Sequence, residues 1–323
     1  METHFAILTL ALLADRLLGD PPWLWERVKH PVVLFGRAID FAERIGNRPF
    51  GSDSVRRRNG LFVIIFLLLL AAAVGGALSW IFGVLGVVGF LLEVGTVTVL
   101  LAQKSLGDHV SRVAVALRND GLSGAREAVS RIVGRDPEGL DESGICRAAI
   151  ESLAENFSDG VVAPALWYAV FGLPGILAYK MLNTADSMIG HKNERYRAFG
   201  WASARLDDLA NWPAARLSAV LIALGAVFHR GRDAGARSLE TAFRDAALHR
   251  SPNAGWPESA MAGALGVALA GERSYGGVAV REPFLNAAGR RQVNSGDIDA
   301  AVRLFYSACA SITALSAVLF LLL

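Results

Sequence analysis

Residues 61–102 read LFVIIFLLLLAAAVGGALSWIFGVLGVVGFLLEVGTVTVLLA, and Glu93 is the one charged side chain among them. A helix needs about 20 apolar residues to cross the hydrocarbon core. This run is long enough for two crossings and predicts a transmembrane helical hairpin turning near Ser79–Trp80. Val302–Leu323 reads as a C-terminal transmembrane helix with Arg303 at its edge. The chain is 53% hydrophobic and 19% charged, outside the usual soluble range. The expected fold is an all-α integral membrane protein.

Outward from the hairpin, residues 123–133, 142–157 and 214–228 lack strand-like alternation and read as helices bounded by Gly or Pro. Turns are expected at Gly19-Asp20-Pro21-Pro22, His30-Pro31, Asp136-Pro137, Ser251-Pro252-Asn253 and Gly276-Gly277. Residues 270–300 read as an exposed loop holding a short hairpin. One membrane-embedded catalytic domain, 1–323, is the economical organisation, with residues 103–260 bearing the site. Glu2 and the Asp15-Arg16 interruption argue against a signal peptide. Cys146 and Cys309 form no metal or disulfide pattern, and nothing suggests nucleic acid as a partner.

The 32 Lys and Arg residues fall in segments 20–60, 103–160, 180–216 and 230–303, Arg16 apart. The positive-inside rule therefore asks for all four segments on the cytoplasmic face. Simple alternation of crossings cannot satisfy that request, because 161–179 and 217–228 each separate two basic segments. The first carries Pro164 and Pro174, and the second is short. Both are expected to be broken or re-entrant helices holding a cytoplasm-facing pocket.

Three polar clusters interrupt the apolar chain, and polar groups beside lipid are costly unless they bind something. In ESLAENFSDG (151–160), Glu151, Glu155 and Asp159 are spaced i, i+4, i+8. They share one face of a helix that is expected to end at Gly160. Their mutual repulsion suits a hard cation such as Mg²⁺, which takes one or two carboxylates plus phosphate oxygens. Asn156 adjoins that face. The solvated-acidic-helix alternative is weakened by the flank Val161-Val162-Ala163.

NTADSMIGHKNERY (183–196) places Asp186, His191, Lys192, Glu194 and Arg195 around Gly190, with Arg205, Asp207 and Asp208 beyond. Cations mixed with carboxylates suit a phosphate held with its metal; a loop binding lipid headgroups is the plainer alternative. HRSPNAGWPES (249–259) joins His249, Asn253 and Glu258 through a rigid turn. There Glu258 heads a helix expected over 258–270 and could simply complement its dipole. Glu93 is a candidate by its depth in the membrane, or is hydrogen-bonded inside the bundle. No Walker loop, HExxH, GxSxG or credible dinucleotide motif occurs.

These segments resemble the adenosylcobinamide-phosphate synthase family of cobalamin biosynthesis (CbiB, also called CobD). The resemblance lies in LLGDPP and HPVVLFGR, in ESLAENFSDGVVAPALWY, in KMLNTADSMIGHKNERYRAFGWASARLDDLANWPAARL and in HRSPNAGWPESAMAGALG. Together they run from about residue 12 to 271. The resemblance implies an inner-membrane amide ligase joining adenosylcobyric acid to aminopropanol phosphate with ATP and Mg²⁺, its site facing the cytoplasm. On that reading Glu151, Glu155 and Asp159 hold the metal. Lys192, Arg195 and Arg205 offset phosphate charge, with Asp186, Asp207, Asp208 and Glu258 nearby in the same site. Glu155 or His191 takes the ammonium proton, and Asn156 and Asn253 orient substrate. Membrane lipid surrounds the protein, and a homo-oligomer or a complex with other corrinoid-pathway proteins is left open. A transporter of a charged solute, or a membrane sensory protein, is the competing class.

Overall fold

The computed structural model describes residues 2–19, 25–27, 29–48, 51–133, 137–275 and 278–323, except for the side chains of 272–281. Asp20 with Pro21-Pro22, Asp136, and the Gly276-Gly277 turn lie outside the described residues. In chain order the helices are α1 (Glu2–Leu18), α2 (Pro31–Gly46), α3 (Asp53–Val84), α4 (Val87–Leu100), α5 (Gln103–Asn119) and α6 (Gly121–Ser130). They continue with α7 (Glu142–Phe157), α8 (Ala163–Ile189), α9 (Trp201–Arg230), α10 (Arg232–Asp245), α11 (Gly255–Leu265) and α12 (Ser295–Leu322). Strands β1 (Leu269–Tyr275) and β2 (Val278–Leu285) separate α11 from α12.

The protein is an all-α membrane protein apart from that hairpin. Among the described residues, five helical stretches are long and apolar enough to cross a bilayer. Their outward faces agree: Phe62, Phe66, Leu69, Trp80, Val84 and Val87 are 63–78% exposed. A contiguous apolar surface of this kind would be an aggregation liability in water but suits contact with lipid.

Where the sequence reads as one domain, the contacts divide the chain into two compact units. The first comprises Met1–Leu101, Ala163–Asn211 and Ser316–Leu323. Within it, Pro31 opens α2, and the His30 ring accepts a hydrogen bond from the Val32 N–H at 3.2 Å. Helix α3 starts well before the apolar run because Ser52 caps the Val55 N–H and Asp53 complements the helix dipole. Its hairpin with α4 turns at Leu85–Gly86 instead of Ser79–Trp80. Gly86 adopts φ +56°, open to glycine but strained for other residues, whereas nothing at Ser79 breaks the helical ladder.

Helix α8 confirms the broken-helix expectation for 161–179. Gly172 leaves helical geometry at φ 64°, ψ −148°, two residues before Pro174. Against this break packs Gly75 of α3, where an added Cβ would stand 2.6 Å from Pro174 Cα. The expected short piece 217–228, by contrast, is part of the 30-residue α9, which is long enough to cross.

The second unit comprises Ala102–Val162 and Trp212–Leu315. Phe157 and Phe305 meet edge-to-face at 5.6 Å in its core, beside fully buried Ile145, Ile150 and Leu153. The acidic helix does not end at Gly160: a π-helical turn over Ser158–Val162 carries the chain on. Helix α11 stops at Leu265, short of residue 270, because Gly266 supplies a left-handed cap at φ 72°. The expected 270–300 loop is largely the antiparallel β1–β2 hairpin, with buried Leu269 paired to buried Leu285 and an irregularity between Ala270 and Glu272. Helix α12 begins at Ser295, ahead of its apolar run, where Asp297 accepts the Asn294 N–H at 2.9 Å.

Gly75→Ala should destabilise the first unit by about 1–3 kcal/mol through overpacking. Its neighbour Gly76 has nothing within 4 Å of its Cβ position, so Gly76→Ala should be neutral or slightly stabilising. Thermal unfolding of both variants in detergent tests this, and equal melting points would contradict the α3–α8 contact.

Candidate functional site

In the first unit the polar site forms where α8 ends and α9 begins. The connecting residues fold back tightly because two glycines permit it. A Cβ on Gly200 would fall 1.6 Å from the Ile189 carbonyl oxygen, and one on Gly190 would fall 1.9 Å from Asp186 Oδ1. The Gly190 N–H donates to the Asp186 carbonyl at 2.7 Å. Phe199, fully buried, lays its carbonyl against Gly60 of α3 and fixes the loop to the membrane helix.

This closure brings Asp186 within electrostatic range of Asp207, Asp208 and His191. Arg205 and Lys192 both act on Asp208. Asp207 is only 7% exposed. Its Oδ2 accepts from Asn211 Nδ2 at 2.9 Å, and Asn211 Oδ1 accepts from the Tyr179 hydroxyl at 2.8 Å. Asn183 also faces this carboxylate, while Oδ1 has no hydrogen-bond partner among the described residues. Sequence reading singled out Asp186, His191, Lys192, Arg205, Asp207 and Asp208, and the fold gathers them. It missed Tyr179, Asn183 and Asn211, although the i, i+4 spacing of Asp207 and Asn211 was a usable signal.

Arg195 is different. Its Nε and Nη2 grip Glu43 Oε1 and Oε2 at 3.0 and 2.7 Å. Asn47 Nδ2 also donates to Glu43 Oε1 at 2.7 Å. Arg56 donates to Asn47 Oδ1 at 2.8 Å and to the Arg195 carbonyl. The fork assigned to phosphate is therefore engaged by a carboxylate, and Arg195 ties the loop to α2 and α3. Burial raises the Glu43 carboxyl, but Arg195 and Asn47 outweigh that and hold it below the usual range. Glu43 in turn raises Arg195. Glu43, Asn47 and Arg56 gave no sequence signal beyond the i, i+4 pair Glu43 and Asn47.

In the second unit the three acidic residues of α7 and the π-turn separate by environment. Glu151 is buried, and its Oε1 accepts the Ala270 N–H at 2.7 Å. Ala270 is left-handed at φ 58° beside the strand irregularity, so Glu151 secures a strained backbone donor. Glu155 is exposed and Asp159 half-buried. Asn156 Nδ2 donates to the Ser152 carbonyl at 2.9 Å. Among the described residues no three His, Cys, Asp or Glu side chains form a ready metal cage. Exposed Glu155 and half-buried Asp159 are carboxylates of the type that shares a Mg²⁺ ion with phosphate oxygens and water, whereas buried Glu151 spends one oxygen on the Ala270 N–H.

Still in this unit, the His249–Asn253 turn is self-bonded. His249 Nδ1 accepts the Ser251 N–H at 3.0 Å, and Ser251 Oγ accepts the Asn253 and Ala254 N–H groups. His249 Nε2 then lies 3.8 Å from Glu258 Oε1, both side chains being largely covered. Asn253 Oδ1 accepts from Arg216 Nη1 at 3.0 Å, a partner the sequence did not suggest.

Residues 8–305 match the family described as CobD/Cbib protein. A Rhizobium meliloti protein named "Cobalamin biosynthesis protein CobD" is 64% identical over 307 residues, covering 95% of this chain and 94% of its own. A protein of the same name from Brucella anthropi is 56% identical, covering 98% and 96%. Another from Rhodobacter capsulatus is 46% identical, covering 87% and 86%. No solved structure matches the chain.

A carboxyl held below its ordinary value stabilises the fold above that value and ceases to do so as pH falls through the folded one. Glu43 is such a group, and so is Asp245, held down by Arg244 against its burial, with help from the Asn286 N–H. The melting temperature should stay level from pH 7 to about pH 5 and then fall below the ordinary carboxylate range. Glu43→Gln should lower the neutral-pH melting point by roughly 2–4 °C and flatten the acid limb. An unchanged acid limb would show that the pair carries no stability.

Proposed function

The chain belongs to the CobD/Cbib family and has a role in cobalamin biosynthesis, and from that premise we propose that it is an ATP- and Mg²⁺-dependent amide ligase. It joins adenosylcobyric acid to aminopropanol phosphate, or a related amino-alcohol phosphate, giving adenosylcobinamide phosphate. The observation that carries this reading is the family match across nearly the whole chain, with the polar segments in order inside it.

A carboxylate does not react with an amine until one of its oxygens becomes a leaving group. The corrinoid carboxylate attacks the γ-phosphorus of ATP, ADP departs, and an acyl phosphate forms. The neutral amine then attacks the acyl carbon, phosphate leaves with the former carboxylate oxygen, and the nitrogen loses its proton. Charge neutralisation and positioning dominate phosphoryl transfer. Glu155 and Asp159 would hold Mg²⁺, which would screen phosphate charge. Lys192 and Arg205 offset charge on the phosphate of the amine substrate, with Asp208 acting on both cations and Asp186 and Asp207 in the same cluster. Exposed His191, or Glu155, accepts the proton from the incoming ammonium. Asn156 orients substrate.

On this reading the protein is a multi-pass protein of the cell inner membrane with its site toward the cytoplasm, an orientation that the positive-inside rule favours for a site beside the basic 180–216 segment.

Membranes holding the protein should convert adenosylcobyric acid, aminopropanol phosphate and MgATP to the amide, detected by mass spectrometry, only when every reactant is present. Glu155→Ala, an exposed position that should leave the fold intact, should cut turnover by at least about a hundred-fold. Amide formation without ATP would refute the ligase chemistry. Normal turnover in the Glu155 variant would refute the metal role.

A further inference from the structure

Arg216 projects from α9 in the second unit, one turn beyond Trp212. Its guanidinium carbon lies 4.6 Å from the Trp212 ring centroid and 4.8 Å from that of Trp256. Nη1 donates to the Trp212 carbonyl at 3.1 Å and to Asn253 Oδ1 at 3.0 Å. Among the described residues Arg216 has no carboxylate partner, and its Nε and Nη2 donate no hydrogen bond. The side chain is half-buried.

Two aromatic rings fix the plane of the cation and supply part of its stabilisation. They offer no acceptor to the remaining N–H edge, however. Asn253 meanwhile fixes the rotation of the group within that plane. A guanidinium locked in orientation, with its Nε–Nη2 edge unengaged, is preorganised for the two oxygens of a tetrahedral or planar oxyanion. An arginine that only braced the Pro252–Pro257 turn would need one Nη group and neither ring. The chemistry of the edge, two parallel donors bearing a full charge, selects a phosphate over a neutral ligand.

We propose that Arg216, held by Trp212 and Trp256 and aligned by Asn253, anchors a phosphate-binding site. Asn253 is thus a positioning residue, acting on the ligand through Arg216. The phosphate belongs either to a soluble phosphorylated molecule or to a phospholipid headgroup, and both present the same oxygens. The site does not depend on the ligase reading, because binding is its readout.

Full-length protein in phosphatidylcholine nanodiscs is titrated with inorganic phosphate by calorimetry. The same protein, purified in mild detergent from membranes containing phosphatidylglycerol, is weighed by native mass spectrometry for retained lipid. Loss of a charge-assisted bidentate contact should weaken phosphate binding in Arg216→Lys by about 10–100-fold. Asn253→Asp, which gives Arg216 an internal counter-ion, should weaken it comparably without emptying the turn. Arg118→Ala, which removes an exposed ion pair with Asp299, should change nothing. Weakened phosphate binding in the first two variants supports a soluble ligand. Phosphatidylglycerol retained by the native protein and lost from both variants, with phosphate binding unaffected, supports the same site with lipid as its occupant. If neither ligand distinguishes the variants from the native protein, the proposal is overturned. Failure of the ligation assay alongside intact phosphate binding would remove the ligase reading and leave this site standing.

Discussion

A carboxylate withdrawn from water beside lipid must be bonded, because an isolated buried charge is among the most expensive features a fold can hold. The buried acids of this chain show that constraint residue by residue. Glu43 is gripped by Arg195 and Asn47, Glu151 secures the Ala270 N–H, and Asp245 takes Arg244 and the Asn286 N–H. Glu258 faces His249, and half-buried Glu93 accepts the Tyr168 hydroxyl at 2.7 Å. Most of these partners are distant in sequence, so each bond also fixes where two segments meet. Acids that could have served as ligands serve here as fasteners.

Close backbone contact does the rest. The α8–α9 connection is pinned at both ends by glycines whose hydrogens face carbonyl oxygens, and Phe199 lays its own carbonyl on Gly60 of α3. In lipid, helices gain little from hydrophobic attraction to one another, so small residues that allow close approach carry much of the packing. Gly75 against the Gly172–Pro174 break follows the same rule in α3 and α8, and Gly225 against Leu304 and Ala308 follows it in α9 and α12. The loop with Lys192 and His191 is thus seated on a membrane helix at one end and the Asp186 carboxylate at the other. That seating is what lets an exposed, polar loop keep a fixed shape.

The hairpin, the terminal helix and the broken α8 were legible because composition and proline report directly on lipid and on helix continuity. The α3–α4 turn was misplaced because the apolar run itself contains no boundary, and only the positive φ of Gly86 creates one. The chain stays helical past Gly160 because a π-turn over Ser158–Val162 follows α7, and no residue type announces that geometry. For the candidate site, clustering of polar residues singled out Asp186, Asp207 and Asp208, which the fold brings within electrostatic range of one another. Which cations were available could not be read from the chain. Arg195 and Arg205 look alike in sequence, yet the first is engaged by Glu43 from a helix about 150 residues earlier. Arg216 was passed over because only Trp212, one turn earlier, marks it within its own segment; Asn253 and Trp256 arrive from about 40 residues later.

Partnered and unpartnered groups therefore have different meanings here. A fold that bonds Glu43, Glu151 and Asp245 so closely has had ample means to bond Asp207 Oδ1 and the open edge of Arg216. Supplying an Asn to one or an Asp to the other takes a single substitution, as Asn211 on Asp207 Oδ2 already demonstrates. Leaving them open forgoes stability that the neighbouring residues could provide. Stability withheld at a buried polar atom is regained when a ligand supplies the missing partner, and such atoms cluster at functional sites for that reason. By this criterion Glu151 and Arg195, prominent in the sequence, belong to the scaffold. Among the described residues, Asp207 Oδ1 and the open edge of Arg216 are two places, both beside polar clusters, with bonds left to make.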